Sequence, residues 1–156
     1  LSCTRNVILQ IGNFIFTHAG IVPENVRDFK DSKTFITHVN NLMREFLQGK
    51  RDKNDEEIQK YFLTKETSII WNRHYGNETT NCNMVENVTK MLKVGHMIVG
   101  HTVQQKINSK CQDKLWRVDV GISSIFDNYG KIGVLEILDN GKALPKNEFN
   151  PFRILS

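Results

Sequence analysis

Two spacings of apolar residues alternate along the chain. Val7 to Ile11 and Phe14 to Thr17 are short β-branched and aromatic runs, and the Gly12-Asn13 pair between them suits a tight turn, so two antiparallel strands are predicted. In His18-Ala19-Gly20-Ile21-Val22-Pro23 the small residues and the proline end the second strand and leave His18 at its carboxyl end. From Lys33 to Gln48, residues Phe35, Val39, Leu42, Met43 and Phe46 recur at spacings of three and four, the mark of a core-facing helix, with Gly49 as its stop. A charged stretch leads into a second short helix around Asp55 to Phe62. Ser68 to Gly76 is an apolar stretch that delivers Trp71 and Arg73 to a loop.

Met84, Val85, Val88, Met91 and Leu92 form another helical stripe, which Lys93-Val94-Gly95 can close. A buried strand, His96 to Val99, ends at Gly100-His101-Thr102. Trp116 to Val120 and Val134 to Leu138 read as two further strands, with Gly121 and Gly130 marking turns. Helices and strands alternate without an internal repeat, so the fold class is α/β.

Composition narrows the picture. At 156 residues the chain has the size of one folded unit, with 39% hydrophobic and 24% charged residues. No apolar run reaches the ~18 residues of a membrane span, so no membrane partner is expected. The formal charge of +4 mildly favours anionic partners. Lys50, Arg51 and Lys53 are answered by Asp52, Asp55, Glu56 and Glu57, a solvated helix and loop rather than a nucleic-acid surface. Cys3, Cys82 and Cys111 are odd in number and lack a C-x-x-C spacing, which predicts reduced thiols in the cytoplasm and no disulfide. Asn77-Glu78-Thr79 and Asn87-Val88-Thr89 match the glycosylation acceptor pattern and are read as chance matches in an asparagine-rich chain. The chain opens on strand-like residues, with neither an initiator Met nor a signal segment, as if cut from something longer.

Candidate chemistry lies at two strand ends. His18 and His101 each follow an apolar run and lie close to a glycine, and α/β folds place ligands at the carboxyl ends of their strands. Taken singly, each histidine reads first as structural. Arg73 offers a planar, permanently charged fork that matches two phosphoryl oxygens, although alone it could serve a surface salt bridge. Trp71 is expected to pack beneath this loop and fix it. His38, His74 and His96 carry no comparable signal, and His74 is expected to be an exposed loop residue.

The succession Phe-Thr-His-Ala-Gly-Ile, Ile-Ile-Trp-Asn-Arg, Met-Ile-Val-Gly-His-Thr, Leu-Trp-Arg-Val-Asp-Val-Gly-Ile-Ser-Ser and Val-Leu-Glu-Ile resembles the Shewanella-like protein phosphatases of the calcineurin-like metallophosphoesterase superfamily. The resemblance runs from about Asn13 to Ile137 and is most specific over Trp116 to Ser123. It implies the C-terminal half of a four-layer α/β/β/α sandwich, with a helical insertion at about 24–65. It also implies that His18 and His101 are ligands of one metal ion and that Arg73 holds the substrate phosphate. Asp119 and Gly121 are assigned to the loop behind the site, with a hydrogen bond from Asp119 to a metal ligand as the alternative. Val103 stands where the family commonly has proline.

The implied activity is a metal-dependent phosphoprotein phosphatase, in which two divalent ions (manganese, iron or zinc) activate a water that attacks phosphorus. The family's Gly-Asp-x-His, Gly-Asp-x-x-Asp-Arg-Gly and Gly-Asn-His-Glu motifs, which supply the acidic ligands, are not in these residues. The expectation is therefore a half-site, inactive alone, with the N-terminal half of the fold as partner and a phosphoprotein as substrate. Without that half, bare sheet edges and apolar faces should favour association. Two other readings stay open: a non-catalytic pseudophosphatase fragment binding partners through Lys33 to Phe62, and a phosphodiesterase or dinucleotide hydrolase on the same scaffold.

Overall fold

The computed structural model describes residues 4–126, 132–138 and 152–155. Strands β1 (Ile8–Ile11) and β2 (Phe14–Thr17) pair antiparallel across the Gly12-Asn13 turn, as their spacing predicts. A short helix α1 (Pro23–Val26) begins at the predicted proline.

Helix α2 (Ser32–Leu47) starts at Asp31, whose carboxylate accepts the Thr34 amide at 2.8 Å. It buries Phe35, Val39, Leu42 and Met43 on one face, each apolar side chain stabilising the fold by roughly 1.5–3 kcal/mol. It closes with paired bonds, Gly49 N–H to Phe46 C=O and Lys50 N–H to Glu45 C=O, which satisfy carbonyls of the last turn. Asn40, also on α2, is buried against the sheet: Val7 and Ile8 amides donate to its Oδ1 and its Nδ2 donates to the Ile8 carbonyl. That clamp satisfies backbone groups that β1, an edge strand, cannot pair on its outer side.

The second predicted helix is only partly α-helical. α3 (Glu56–Ile58), capped by Asp55, continues as a π turn over Gln59–Leu63. The wider turn lets both Tyr61 and Phe62 reach the core. Helix α4 (Cys82–Leu92) starts two residues before the apolar stripe because Asn81 caps it, and Lys93 ends it in a left-handed conformation.

β3 (His96–Val99) pairs parallel with β2 on one side and with β5 (Leu115–Arg117) on the other. β4 (Asn108–Lys110), a polar strand with no apolar alternation to announce it, pairs antiparallel with β5. β5 is shorter than the predicted Trp116 to Val120 strand and starts earlier, since the chain leaves the ladder after Arg117 to form the loop around Asp119. The sheet order is β1-β2-β3-β5-β4. A separate hairpin joins β6 (Val134–Ile137) to β7 (Phe152–Leu155). β7 has no counterpart in the sequence reading, and Gly130 and Cys3 lie outside the described residues.

Alternating side chains divide the sheet between two cores. On one face Ile8, Ile15, Met97, Val99 and Leu115 pack against the helices. On the other, Ile98, Ile107, Trp116 and Val120 meet Phe152 of the hairpin, with the Trp116 and Phe152 rings 4.4 Å apart. Helices, five-stranded sheet and hairpin therefore form three successive layers, the α/β/β portion of the expected sandwich. The hairpin leaves part of the second face open. A cleft of about 410 Å³, lined by Leu9, Phe16, Ile98 and Val118, runs there to His18, and Leu9 and Ile11 on edge strand β1 are 45% and 57% exposed.

The expectation of reduced thiols is corrected. Cys82 and Cys111 form a disulfide, with 5.2 Å between their Cα atoms. The spacing of 29 residues hid the bond because only the fold brings the start of α4 beside the β4–β5 turn. Closing a loop of this length contributes about 3–4 kcal/mol through the entropy of the unfolded chain. A non-reducing peptide map is expected to recover the Cys82 and Cys111 peptides linked, and reduction should lower the melting temperature; separate peptides in material never exposed to reductant would contradict the bond.

Candidate metal and phosphate site

The site begins where β2 and β3 end. Their parallel ladder continues one step past the strands, because the Gly100 amide donates to the His18 carbonyl at 2.8 Å. His18 and His101 thus leave neighbouring strands at the same edge of the sheet. His18 Nε2 and His101 Nδ1 face each other at 3.1 Å. His101 adopts a left-handed backbone (φ 65°), a conformation uncommon outside glycine and the kind of strain that recurs at functional sites.

Arg73 joins the pair from a third segment. Its Nη1 donates to Thr102 Oγ1 at 3.3 Å, and its guanidinium is exposed. The sequence-predicted residues His18, Arg73 and His101 therefore come together in one place. Burial, then the positive charge of Arg73 and the neighbouring His18, lowers the His101 pKa. Its ring is accordingly held neutral near pH 7, the form that can donate a lone pair to a metal. His101 Nε2 is sealed from solvent.

Three residues that sequence reasoning left without a role hold this arrangement. Asn72 is buried: its Nδ2 donates to the carbonyls of Gly20 (3.0 Å) and Ser68 (2.8 Å), and its Oδ1 accepts from the His74 amide. It ties the loop after His18 to the loop that carries Arg73. Tyr75 is fully buried, its hydroxyl donates to the Ile21 carbonyl, and burial pushes its pKa up. Its ring lies flat against Gly20, where an added Cβ would stand 2.0 Å from the ring, so only glycine permits the contact. Thr102 is the third: it orients Arg73 and packs on Gly76, where a Cβ would meet its own Cβ at 2.1 Å. The sequence signal for these roles was a polar Asn directly after the apolar Ile69 to Trp71 run.

Trp71 corrects its expectation. It is 54% exposed and presents its ring edge-on to His101 at 5.6 Å, rather than packing beneath the loop. The neighbouring apolar side chains that this segment does bury are Ile69 and Tyr75. Asp119 Oδ1 accepts the Gly121 amide at 3.0 Å and its carbonyl accepts the Gln104 amide, a loop-building role. His74 is exposed, with Nε2 near the Glu66 carbonyl, while His38 meets Glu57 and His96 meets the Asp113 carbonyl, all away from the pair.

The donor set fits part of a metal centre. Two facing imidazole nitrogens and a neutral His101 suit two positions around one divalent ion. Among the described residues no three His, Cys, Asp or Glu side chains gather to hold a metal. The charge of two dications needs carboxylates, so the described residues do not fit a two-ion centre.

An uncharacterised protein of Acanthamoeba polyphaga mimivirus is 32% identical to this chain, covering 89% of it and 65% of its own length. Shewanella-like protein phosphatase 2 of Arabidopsis thaliana is 26% identical, covering 77% of this chain and 30% of its own length. Among solved structures, a point mutant of a cold-active protein tyrosine phosphatase superposes with a TM-score of 0.65 at 25% identity, covering 81% of this chain and 36% of its own. The cold-active protein-tyrosine phosphatase of a psychrophilic Shewanella species gives 0.60 at 22% identity, with the same coverages. The chain is similar to the Shewanella-like protein phosphatases. No family model matches it. It spans less than two thirds of the length of each of these relatives, and in the solved structures it corresponds to the C-terminal part of the phosphatase fold.

Asn72 and Arg73 should behave oppositely. Asn72→Ala takes the side-chain partner from the Gly20 carbonyl and the His74 amide, while the Ser68 carbonyl keeps its backbone amide bond, and is expected to destabilise the chain by about 1–3 kcal/mol in urea unfolding. Arg73→Ala, at an exposed position, should change stability by less than about 0.5 kcal/mol. Equal effects would remove the distinction between holding the site and facing it.

Proposed function

We propose that this chain is the C-terminal portion of a metal-dependent phosphoprotein phosphatase and supplies two histidine ligands and a phosphate-binding arginine to a site completed by the N-terminal portion of the same fold. The observation that carries this reading is the meeting of His18 Nε2 and His101 Nδ1 beside Arg73 at the carboxyl ends of two parallel strands. The kinship with phosphatases supports the reaction class.

When bound, two divalent ions (manganese, iron or zinc) supply Lewis acidity and an activated water. The chain's own residues do the rest of its share. His18 and His101 present lone pairs from rigid strand ends, with His101 kept deprotonated by burial and by Arg73. Arg73, steadied by Thr102, presents guanidinium N–H donors to the phosphoryl oxygens of a phosphoprotein or phosphopeptide. Asn72 and Tyr75 keep the two loops in register, so the arginine and the histidines need little rearrangement when substrate arrives.

One feature favours a completing partner: the open apolar cleft that ends at His18 is a surface another layer of the fold would cover. The bond between Cys82 and Cys111 supports an oxidising environment rather than the cytoplasm expected from free thiols. Among the described residues no helix is long and apolar enough to cross a membrane.

The test combines this chain with the family's N-terminal half and manganese, on phosphoserine and phosphotyrosine peptides. Turnover is expected from the combination and not from the 156 residues alone. His18→Ala or His101→Ala should reduce it by at least about 100-fold, and Arg73→Ala should lower kcat/KM by about 10²–10³. Robust turnover by the chain alone, or undiminished turnover in the histidine variants, would remove the proposal.

A further inference from the structure

We propose that a second cleft, of about 280 Å³ and with Arg117 at its buried end, binds a phosphoryl oxyanion. Arg117 is the unusual residue. It is 4% exposed, yet no carboxylate lies within ion-pair distance of it among the described residues. Its Nε donates to Asn108 Oδ1 at 2.6 Å, and its Nη1 donates to the carbonyls of Gly76 (3.3 Å) and Asn77 (3.1 Å). Those three acceptors are neutral. Nη2 makes no hydrogen bond, and it is absent from the sealed, unpartnered atoms, so it is open to the cleft that Arg117 lines.

A buried guanidinium answered only through space by exposed Glu78, with no ion pair, is costly, and an anion in the cleft would answer it directly. Burial lowers the Arg117 pKa for the same reason. Lys106 and Lys110 line the cleft as well, and the single carboxylate there, Glu78, is 85% exposed and touches Lys110 at 3.3 Å. Three cations to one rim carboxylate leave a surplus of two positive charges, which a phosphoryl dianion neutralises and a single carboxylate does not. Nη2 keeps its N–H donors for one face of the oxyanion, because Nε and Nη1 are already committed to Asn108, Gly76 and Asn77.

The cleft also communicates with the phosphate site. Arg117 holds the turn at Gly76 and Asn77, three residues past Arg73, and Gln104 in the cleft wall donates to both the Gly76 and Thr102 carbonyls. An anion bound there would sit behind the loop that aims Arg73. The proposal concerns binding alone and does not depend on catalysis.

The experiment measures binding of inorganic phosphate to the chain by isothermal titration, in an Arg73→Ala background that removes the other phosphate-binding group. Saturable binding is expected to persist in that background. It should weaken by about tenfold or more in the Lys106→Ala, Lys110→Ala double variant, whose exposed substitutions leave the Arg117 hydrogen bonds intact. Arg117→Met should abolish it, with circular dichroism and thermal melting confirming the fold. A phosphoserine peptide binding more tightly than inorganic phosphate would assign the site to phosphoproteins, and equal affinity would assign it to free phosphate; both keep the oxyanion site. No saturable binding, unchanged affinity in the lysine double variant, or succinate binding as tightly as phosphate would overturn it.

Discussion

The parallel pairing of β2 with β3 is the constraint on which the site depends. Register matches Thr17 with Val99, and the next bond, Gly100 N–H to His18 C=O, carries the ladder beyond the strands. Histidines 83 residues apart in sequence are thereby held at hydrogen-bonding distance. A shift of one residue in this register would turn Ile15 and Met97 out of the helix-facing core and rotate both histidines away from each other. The energy that fixes the site is therefore mostly apolar burial some distance from it, since a fully buried Ile15, Met97 or Leu115 tolerates no such rotation.

Around that frame, polar side chains inside the protein serve as ties between loops. Asn72 joins the His18 loop to the Arg73 loop, Tyr75 ties the Arg73 segment to Ile21, and Arg117 with Gln104 binds the Gly76 turn to the β5 end of the sheet. Each satisfies backbone groups that no strand or helix pairs, which is why loops this irregular can be buried. Arg73 itself is exposed and lightly tethered. Rigid supports beneath a freely presented cation suit a residue that meets a ligand rather than one that holds the fold.

The layer order explains why the chain exposes what it does. Helices cover one face of the five-stranded sheet completely, whereas the β6–β7 hairpin covers the other only around Trp116 and Ile107. The rest of that face, from Leu9 across Phe16 to Val118, remains an apolar cleft that opens at His18. Exposed apolar surface of this kind commonly marks a contact site, and here it adjoins the facing pair His18 and His101.

Much was legible in the residue pattern because it depends on local chemistry. The Gly12-Asn13 hairpin, the α2 and α4 stripes, the strand His96 to Val99 and the histidines at strand ends follow from spacing and turn residues that act within a few positions. The kinship was readable too, since motif order survives where overall identity is low. What needed the tertiary structure depends on partners far apart in the chain. The Cys82–Cys111 bond, the clamp of Asn40 on β1, the ties made by Asn72 and Tyr75, and the charge of Arg117 buried without an ion pair are invisible in any window of sequence. β4 and β7 escaped for a related reason: a strand in a polar or edge position is specified by the neighbour it pairs with, not by its own alternation. Trp71 was misread because whether a ring is covered is decided by the packing of its whole segment, which here buries Ile69 and Tyr75 instead. The sequence by itself determined the elements and the chemical groups; packing alone decided which of those groups meet.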